Sequence, residues 1–282
     1  MHSDAEMEVV RRVYAKQVMA RAMLDDSRLE SAFAQIRRED FLGRGPWSLI
    51  SPFGVYVRTP SSDPVYLYMD MVIGIIPERL LNNGQPSAHA TWIASAAPNL
   101  GDHVVHVGAG TGYYSAIMAQ LVGGKGKVTA VEFDAGLAAQ ARANLSSFSN
   151  AQVLDGDGTV MSFGKAEIIY VNAGATRPVE AWLDGLAEGG RLILPLTTDG
   201  YPNASRGAVF RFERRKDEFL AKWVSPVSIF PCEGARDPES EHALSGAFEK
   251  RGWDKVTKLY RSDDIPEDRC WLRGSGWCLA FS

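Results

Sequence analysis

The sequence predicts an α/β protein built on a doubly wound, mostly parallel sheet. Short apolar segments alternate with segments of helical periodicity between residues 103 and 194. The first of these apolar segments runs directly into a glycine-rich turn, and acidic residues follow the next two. Strands that alternate with helices pair in parallel through right-handed crossovers, which produces a doubly wound sheet.

The segment before this alternation is predicted to be partly helical. Apolar residues recur at mostly helical spacing over residues 6–38, with a break that indicates two helices. Residues 43–64 are rich in Gly, Pro and Ser and predict an ordered loop. Residues 65–76 are strongly apolar and fit either a strand or a short helix. Ser87 is predicted to cap a helix at residues 88–97.

The alternating elements are assigned in chain order. Strands are predicted at residues 103–107, 127–131, 151–154, 168–171 and 191–194, and helices at residues 113–121, 135–145 and 178–186. Residues 209–213 and 219–226 flank a charged turn and predict a β-hairpin, whereas the tail from Ala235 is polar and irregular in pattern. The chain is therefore divided into a helical and loop extension (1–79), a core (80–234) and a C-terminal extension (235–282).

Composition and charge favour an ordinary globular protein. Hydrophobic residues make up 45% of the chain and charged residues 23%, which is typical of such proteins. The net charge of −4 and the sequence pI of 5.8 give no overall basic surface for phosphate backbones, so nucleic acid is not a predicted partner.

Cysteine content and the N-terminal residues bear on location. The three cysteines (Cys232, Cys270 and Cys278) are too few and too unevenly spaced for a disulfide framework or a zinc site, so no metal is predicted and a reducing compartment is favoured. The first ten residues are acidic where a secretory signal would be basic and then apolar. No apolar run reaches membrane-spanning length. We therefore expect a cytoplasmic protein without membrane contact.

The sharpest local signal is the glycine-rich turn between a predicted strand and a predicted helix. An apolar strand ends in Gly108, Ala109, Gly110, Thr111 and Gly112, and the next residues open a helix. Glycine lacks a Cβ atom, so the backbone can approach a ligand closely at such a turn. Alone, the motif also fits a dinucleotide fingerprint or a tight strand-to-helix turn without a ligand.

The ends of the next two strands make a nucleoside site the favoured interpretation. Glu132 ends the second strand about twenty residues beyond the glycines, where a carboxylate can accept hydrogen bonds from both ribose hydroxyls. Asp157 follows the third strand within the sequence DGDG and can receive an adenine amino group. A solvated strand end and a bare turn are the alternatives for these two residues.

In these motifs the chain resembles the protein-L-isoaspartate O-methyltransferase family. The similar segments are GQPSA from Gly84, HVGAGTGYYSA from His106, AVEFD from Ala130, DGDG from Asp155 and GGRLILP from Gly189. The GGRLILP strand and the GQ loop discriminate best, because many other methyltransferases share the glycine loop. The similarity extends over about residues 80–234 and includes Phe230 and Pro231.

The resemblance implies a Rossmann-like methyltransferase fold and S-adenosylmethionine as the methyl donor, with S-adenosylhomocysteine as product. Nicotinamide and flavin cofactors are not expected. The implied cofactor-binding residues are Gly108, Ala109, Gly110, Thr111, Gly112, Glu132, Phe133, Asp157 and Gly158. Two features depart from the family pattern. His106 stands where the family usually has an acidic residue, and the loop GQPSAH differs from the usual GQxxSxP.

The implied reaction is attack of an isoaspartyl α-carboxylate on the cofactor's methyl group. A carboxyl of ordinary acidity is ionised at neutral pH and needs no general base, so alignment and exclusion of water should dominate catalysis. Ser87 is the candidate for holding the acceptor carboxylate, with a simple helix cap as its alternative. His89 and His106 are candidate bases for a hydroxyl or amine acceptor, and a structural role is the more common alternative for such histidines.

Three functions therefore remain open on the sequence alone. The first is repair-type methylation of isoaspartyl residues in proteins or peptides. The second is methylation of a specific peptide or of a small carboxylate metabolite, with the two extensions shaping a closed pocket. The third is a non-catalytic S-adenosylmethionine-binding module that recognises a partner, which the loss of the acid at His106 favours.

Overall fold

The predicted helices and strands of the core are present, with small shifts at their ends. The computed structural model describes residues 2–51, 54–262 and 264–281. The first part of the chain forms α1 (Asp4–Ala22), α2 (Ser27–Gln35), β1 (Ser48–Ile50), β2 (Tyr56–Arg58), β3 (Ile73–Ile76), β4 (Leu81–Asn82) and α3 (Pro86–Ala96). The middle part forms β5 (His103–Val107), α4 (Tyr113–Val122), β6 (Lys127–Glu132), α5 (Ala135–Asn144), β7 (Ala151–Asp155), β8 (Ala166–Val171), α6 (Glu180–Gly185) and β9 (Leu186–Thr197). The last part forms β10 (Gly207–Arg215), β11 (Glu218–Pro226), α7 (Pro238–Lys250), β12 (Lys258–Tyr260), β13 (Cys270–Gly274) and β14 (Trp277–Ala280).

The two N-terminal helices begin at side-chain caps. Ser3 and Glu6 form a capping box at the start of α1, in which each side chain bonds the other residue's backbone N–H. The carboxylate of Asp26 accepts hydrogen bonds from the first backbone N–H groups of α2. The break between the two helices therefore occurs where the sequence places a capping acid, which confirms the prediction of two helices.

Three predictions for the N-terminal third need correction or refinement. The predicted loop at residues 43–64 contains β1 and β2, which are too short to show a clear alternation in sequence. The ambiguous apolar run contains both a turn of 3-10 helix (Pro64–Leu67) and the strand β3. Ser87 is not the N-cap of α3, because the helix begins one residue earlier, at Pro86, and Gln85 occupies the cap position without a side-chain bond to the helix.

The chain forms two compact units. The first comprises Met1–Gly101 and Ala109–Asp155. It contains an antiparallel sheet with strand order β2-β1-β3-β4, and β6 and β7 pair in parallel. The division of the chain into 1–79, 80–234 and 235–282 stays a prediction.

The second unit comprises Asp102–Gly108 and Gly156–Ser282. Its strands β5, β8 and β9 pair in parallel, and β9 then pairs in antiparallel fashion with β10. The sheet continues through β11, β12, β14 and β13, all antiparallel. An α/β fold with a mainly parallel central region and antiparallel C-terminal strands is therefore confirmed.

The expectation of an irregular tail from Ala235 is wrong. The tail contains α7, which starts with the capping acid Asp237 followed by Pro238, and three strands that extend the sheet. The prediction of reduced cysteines is wrong for two of the three, because a disulfide joins Cys270 of β13 to Cys278 of β14. Burial raises the pKa of the remaining Cys232 thiol to about 12.

None of the described helices combines the length and the apolar character needed to cross a membrane.

The core of the first unit contains a fully buried arginine. Arg38 has no exposed surface, and its guanidinium lies 6.0 Å from the ring centre of Tyr14 and 5.7 Å from that of Tyr113. Its guanidinium donates two hydrogen bonds to the side-chain oxygen of Asn83. It donates three more to backbone carbonyls between residues 67 and 71. The three carbonyls belong to Leu67, Met69 and Met71. The charge is therefore satisfied by carbonyl oxygens and aromatic faces rather than by an acid.

We expect Arg38→Lys to lower the free energy of unfolding by about 3 kcal/mol or more, because an ammonium cannot reproduce a planar fork of donors in a buried site. The measurement is urea denaturation followed by circular dichroism. Arg37→Lys is the matched control, since the Arg37 side chain is 53% exposed and a lysine there keeps a solvated positive charge. Equal stability losses in the two variants would contradict the assigned role of Arg38.

Candidate functional site

The glycine-rich turn of the first unit leads into α4. Gly110 and Gly112 have positive φ angles of 57° and 94°, and Gly112 is the residue that starts the helix. The backbone N–H of Ala109 donates to the carbonyl of Val131 at 3.0 Å, which ties the turn to β6. The turn therefore presents backbone groups at the start of a helix, where an anionic or polar ligand is favoured.

Thr111 in this turn has an unusual environment. Only 3% of the residue is exposed, and its hydroxyl has no hydrogen-bond partner among the residues that the structure describes. Its backbone carbonyl, in contrast, accepts from Asn144 at 2.9 Å. Buried hydroxyls are nearly always hydrogen-bonded, so this one is a candidate contact for a bound ligand.

Glu132 lies at the end of β6 and holds the turn in place. Its carboxylate accepts from the backbone N–H of Gly110 at 2.6 Å and from that of Asp134 at 3.0 Å. Burial raises the pKa of Glu132, and these backbone N–H groups oppose the shift. The next residue, Phe133, is 57% exposed, which leaves an aromatic face available beside the carboxylate. The ribose role of Glu132 stays a prediction.

Ser87 makes contacts that the sequence did not suggest. Its backbone N–H and its hydroxyl both donate to the carboxylate of Asp70 at 2.7 Å, and the side-chain amide of Gln85 donates to the same carboxylate at 2.9 Å. Asp70 therefore supplies the anion at the start of α3. Because the hydroxyl proton of Ser87 is donated to Asp70, Ser87 would have to release Asp70 before this proton could bind an acceptor carboxylate. The role of Ser87 in holding the acceptor stays a prediction.

His89 lies one helical turn into α3 in an aromatic environment. Only 1% of His89 is exposed. Its imidazole stacks on the Tyr114 ring with 3.6 Å between ring centres and packs at an angle against Trp92. Gly84 lies so close that a Cβ atom there would be 2.3 Å from Nε2 of His89, so any other residue at 84 would displace the ring. These contacts support the structural interpretation of His89, and its role as a base stays a prediction.

His106 belongs to the second unit, in the middle of a buried strand. It has no exposed surface, and its ring meets Tyr170 edge-on at 5.3 Å. Burial lowers the pKa of His106 to about 3. An imidazole with this pKa is a weak base that binds an accepted proton poorly at neutral pH, which argues against a general-base role.

At the end of the same strand, Gly108 is held by an asparagine that the sequence analysis did not single out. The side-chain amide of Asn172 donates to the carbonyl of Gly108 at 3.1 Å, and the backbone N–H of Asn172 donates to Val107. Asn172 directly follows β8, so the carboxyl ends of two parallel strands carry the first residue of the turn and its anchor. Searching every strand end for polar residues would have identified Asn172.

Asp157 lies in the second unit and is the predicted adenine contact. Its Oδ1 accepts from the backbone N–H and the hydroxyl of Thr159, while Gly158 accepts from the indole of Trp182. Gly234 packs against this turn, and a Cβ atom there would be 2.7 Å from Oδ2 of Asp157. The turn is thus rigidly held, and its adenine role stays a prediction.

Within the first unit the structure brings several candidates together. A Cβ atom on Gly110 would be 3.7 Å from the Ile75 side chain, so the segment that follows Asp70 reaches the glycine turn. The hydroxyl of Tyr114, at the start of α4, lies 3.4 Å from the carbonyl of Gly84. Asp70 was missed in the sequence, where the only signal was a lone acid within a strongly apolar run.

The chain is similar to proteins of one family along most of its length. Residues 12–235 match the family model described as protein-L-isoaspartate(D-aspartate) O-methyltransferase. A protein-L-isoaspartate O-methyltransferase of Thermotoga maritima is 29% identical over 71% of this chain, and the match covers 56% of that relative's length. One from Ignicoccus hospitalis is 32% identical over 52% of this chain and 69% of its own.

Solved structures agree with these similarities at the level of the fold. A protein-L-isoaspartate O-methyltransferase structure aligns with 96% of this chain and 87% of its own, with a TM-score of 0.66 at 20% identity. A β-aspartate methyltransferase structure from Plasmodium falciparum in complex with S-adenosyl-L-homocysteine aligns with 79% of this chain and 98% of its own, with a TM-score of 0.62 at 17% identity.

The ribose prediction for Glu132 can be tested by calorimetry with S-adenosylhomocysteine. We expect Glu132→Ala to weaken binding by about 1–3 kcal/mol, because the variant lacks the acceptor for the ribose hydroxyls and for the Gly110 N–H. Glu78→Ala, which removes an exposed carboxylate, is the control.

The pH dependence of binding gives a second test of Glu132. Because burial raises the pKa of Glu132, lowering the pH should weaken binding to the unmodified protein at a higher pH than that at which an exposed carboxyl is protonated. Glu132→Ala should not show this loss of binding. Unchanged affinity in Glu132→Ala would refute the assignment.

Proposed function

Because the chain belongs to the protein-L-isoaspartate(D-aspartate) O-methyltransferase family, we propose that it methylates the α-carboxylate of L-isoaspartyl residues in proteins or peptides, with S-adenosylmethionine as the donor. The observation that carries this proposal is the family match over residues 12–235, which includes every predicted site residue. The chain spans 56% of the length of the Thermotoga relative.

The residues of the glycine turn fit the proposed cofactor. Thr111 offers a buried hydroxyl that has no partner among the described residues, and Glu132 offers a buried carboxylate with acceptor sites beyond its two backbone contacts. In the second unit, Asp157 offers the remaining oxygen, Oδ2, since its Oδ1 is used by Thr159. The groups of the first unit match the hydroxyls of a ribose, and Asp157 by itself matches an amino donor such as that of adenine.

The proposed reaction needs little proton transfer from the protein. When bound, the cofactor supplies a methyl group on a positively charged sulfur. A carboxylate oxygen forms a bond to that methyl carbon while the carbon–sulfur bond breaks, and S-adenosylhomocysteine leaves with the electron pair. The acceptor is already ionised, so the protein has only to orient it and to exclude water. The low pKa of His106 is compatible with such a site.

A methyltransferase for a specific peptide or a small carboxylate metabolite is the second candidate. The helix α7 and the strands β12, β13 and β14 lie beyond residue 235, where the family match ends. A solved protein-L-isoaspartate O-methyltransferase aligns with 96% of this chain, so these elements alone do not separate the two candidates. The proposed cytoplasmic location and repair role rest on the family and on the sequence, and the Cys270–Cys278 bridge is the feature least expected in a reducing compartment.

The acceptor class can be tested with an isoaspartyl peptide and its aspartyl counterpart. We expect methyl transfer from labelled S-adenosylmethionine to the isoaspartyl peptide and little or none to the aspartyl peptide, because only the former presents the α-carboxylate as a side group. Transfer to neither peptide, together with transfer to a small carboxylate, would favour the second candidate. Tight cofactor binding without turnover on a broad panel would favour a non-catalytic binding module.

The pH dependence of turnover provides an independent test. We expect a rate that stays nearly flat above about pH 6, because an ordinary carboxyl acceptor is then fully ionised. A hydroxyl or amine acceptor that used His89 as its base would give a rate that rises through the histidine range. His106 adds no such rise, since burial holds its pKa at about 3. A steep increase in kcat between about pH 6 and pH 7 would contradict a carboxylate acceptor.

A further inference from the structure

Asp70 is held in one orientation beside the start of α3. Three donors contact its carboxylate: the backbone N–H of Ser87 at Oδ1, and the hydroxyl of Ser87 and the amide of Gln85 at Oδ2. The residue is only partly buried. None of the ion pairs that the described residues form involves Asp70. It is therefore an oriented carboxylate that forms no close ion pair among the described residues, and the positive charge of the buried Arg38 acts on it.

The hydrogen-bond count determines what this corner can recognise. The single proton of the Ser87 hydroxyl is donated to Asp70, so that hydroxyl can offer only lone pairs to a further group. A carboxylate has about four acceptor sites, of which three are used here. The Asp70–Ser87 corner thus accepts hydrogen bonds rather than donating them, and it favours a donor on the ligand.

The backbone around Asp70 is fixed by the buried arginine. Arg38 donates to the carbonyls of Met69 and Met71, on either side of Asp70 in the sequence, and to Asn83, which lies two residues before Gln85. Both segments of the corner therefore share one anchor. Moving the Asp70 carboxylate away from α3 would require these buried bonds to be broken or rearranged.

The corner lies beside the turn that is proposed to hold the methyl donor. The side chain of Ile75, five residues after Asp70, lies near Gly110 in that turn, since a Cβ atom on Gly110 would be 3.7 Å from it. On the other side, Tyr114 follows the turn, stacks on His89 of α3 and lies 3.4 Å from the carbonyl of Gly84. The residue that follows the turn therefore packs on α3, the helix whose start contacts Asp70, and the charge of Asp70 acts on Tyr114.

We infer that Asp70 binds the acceptor by accepting a hydrogen bond from the N–H of the isoaspartyl residue whose carboxylate is methylated, an inference that rests on the proposed function. In an isoaspartyl residue this N–H and the α-carboxylate are attached to the same carbon atom. A second carboxylate near Asp70 is repelled unless a donor accompanies it. Asp70 thereby selects peptide acceptors over carboxylates that carry no adjacent N–H.

The test compares two peptides on the full-length protein. One is an isoaspartyl peptide, and the other is the same peptide methylated on the nitrogen of the isoaspartyl residue, which removes the N–H. Both are assayed for kcat/KM with the unmodified protein, with Asp70→Ala and with Glu78→Ala. Glu78 is an exposed carboxylate eight residues along the chain and serves as the charge-matched control. Binding of S-adenosylhomocysteine is measured in parallel.

We expect the unmodified protein and Glu78→Ala to prefer the N–H peptide by about tenfold or more, the usual effect of one hydrogen bond to a charged group. Asp70→Ala should lose most of this preference through a lower kcat/KM for the N–H peptide, with S-adenosylhomocysteine affinity unchanged within about twofold. If Asp70→Ala does not fold, Asp70→Asn replaces it, since the amide keeps the shape but has fewer acceptor sites.

The outcomes separate this inference from the function on which it rests. Equal kcat/KM for the two peptides with the unmodified protein would overturn the role of Asp70 and leave the proposed function intact. A preference that persists in the Asp70 variant, or a higher kcat/KM for the N–H peptide in that variant, would also overturn it. Absence of transfer to both peptides by a protein that binds S-adenosylhomocysteine would overturn the proposed function and the inference together.

Discussion

The hydrogen bonds of the buried Arg38 guanidinium are the constraint on which the first unit depends. A charge without exposed surface is costly unless its donors are satisfied, and here carbonyl oxygens and aromatic faces satisfy them. The consequence is that Arg38 holds the backbone of one segment at Leu67, Met69 and Met71. That segment carries Asp70, which in turn completes the start of α3. A single side chain thus links the N-terminal helices to the region where the acceptor is proposed to bind.

Polar side chains at or just after the ends of the strands form hydrogen bonds with nearby backbone groups in the absence of a ligand. Glu132 accepts from Gly110, Asp157 accepts from Thr159, and Asn172 donates to Gly108. Each contact uses part of the hydrogen-bonding capacity of its residue and fixes the orientation of the rest. Preorganisation of this kind reduces the ordering cost of binding, since the groups need not rearrange when a ligand arrives.

The parts of the fold that could be predicted are those in which local pattern and tertiary structure agree. The strand β5, the glycine turn and α4 follow directly from an apolar run, three glycines and a helical repeat. Ser87 was misjudged as a cap because the acid that serves α3 is 17 residues away in sequence, at Asp70. The tail was judged irregular because β12 has only three residues and gains its stability from pairing with β11 and β14. Contacts between distant segments leave no local signal.

The disulfide between Cys270 and Cys278 has a consequence for how the protein meets other chains. It joins β13 and β14, and β13 is the last strand in the order of its sheet. A terminal strand presents unpaired backbone groups, and a slipped register would turn its apolar side chains outward. A covalent bond between two cysteines eight residues apart in sequence holds this hairpin in register even when its hydrogen bonds open transiently. The bridge thereby keeps the pairing of the terminal strand with β14 fixed, which disfavours edge-to-edge association at this border of the sheet.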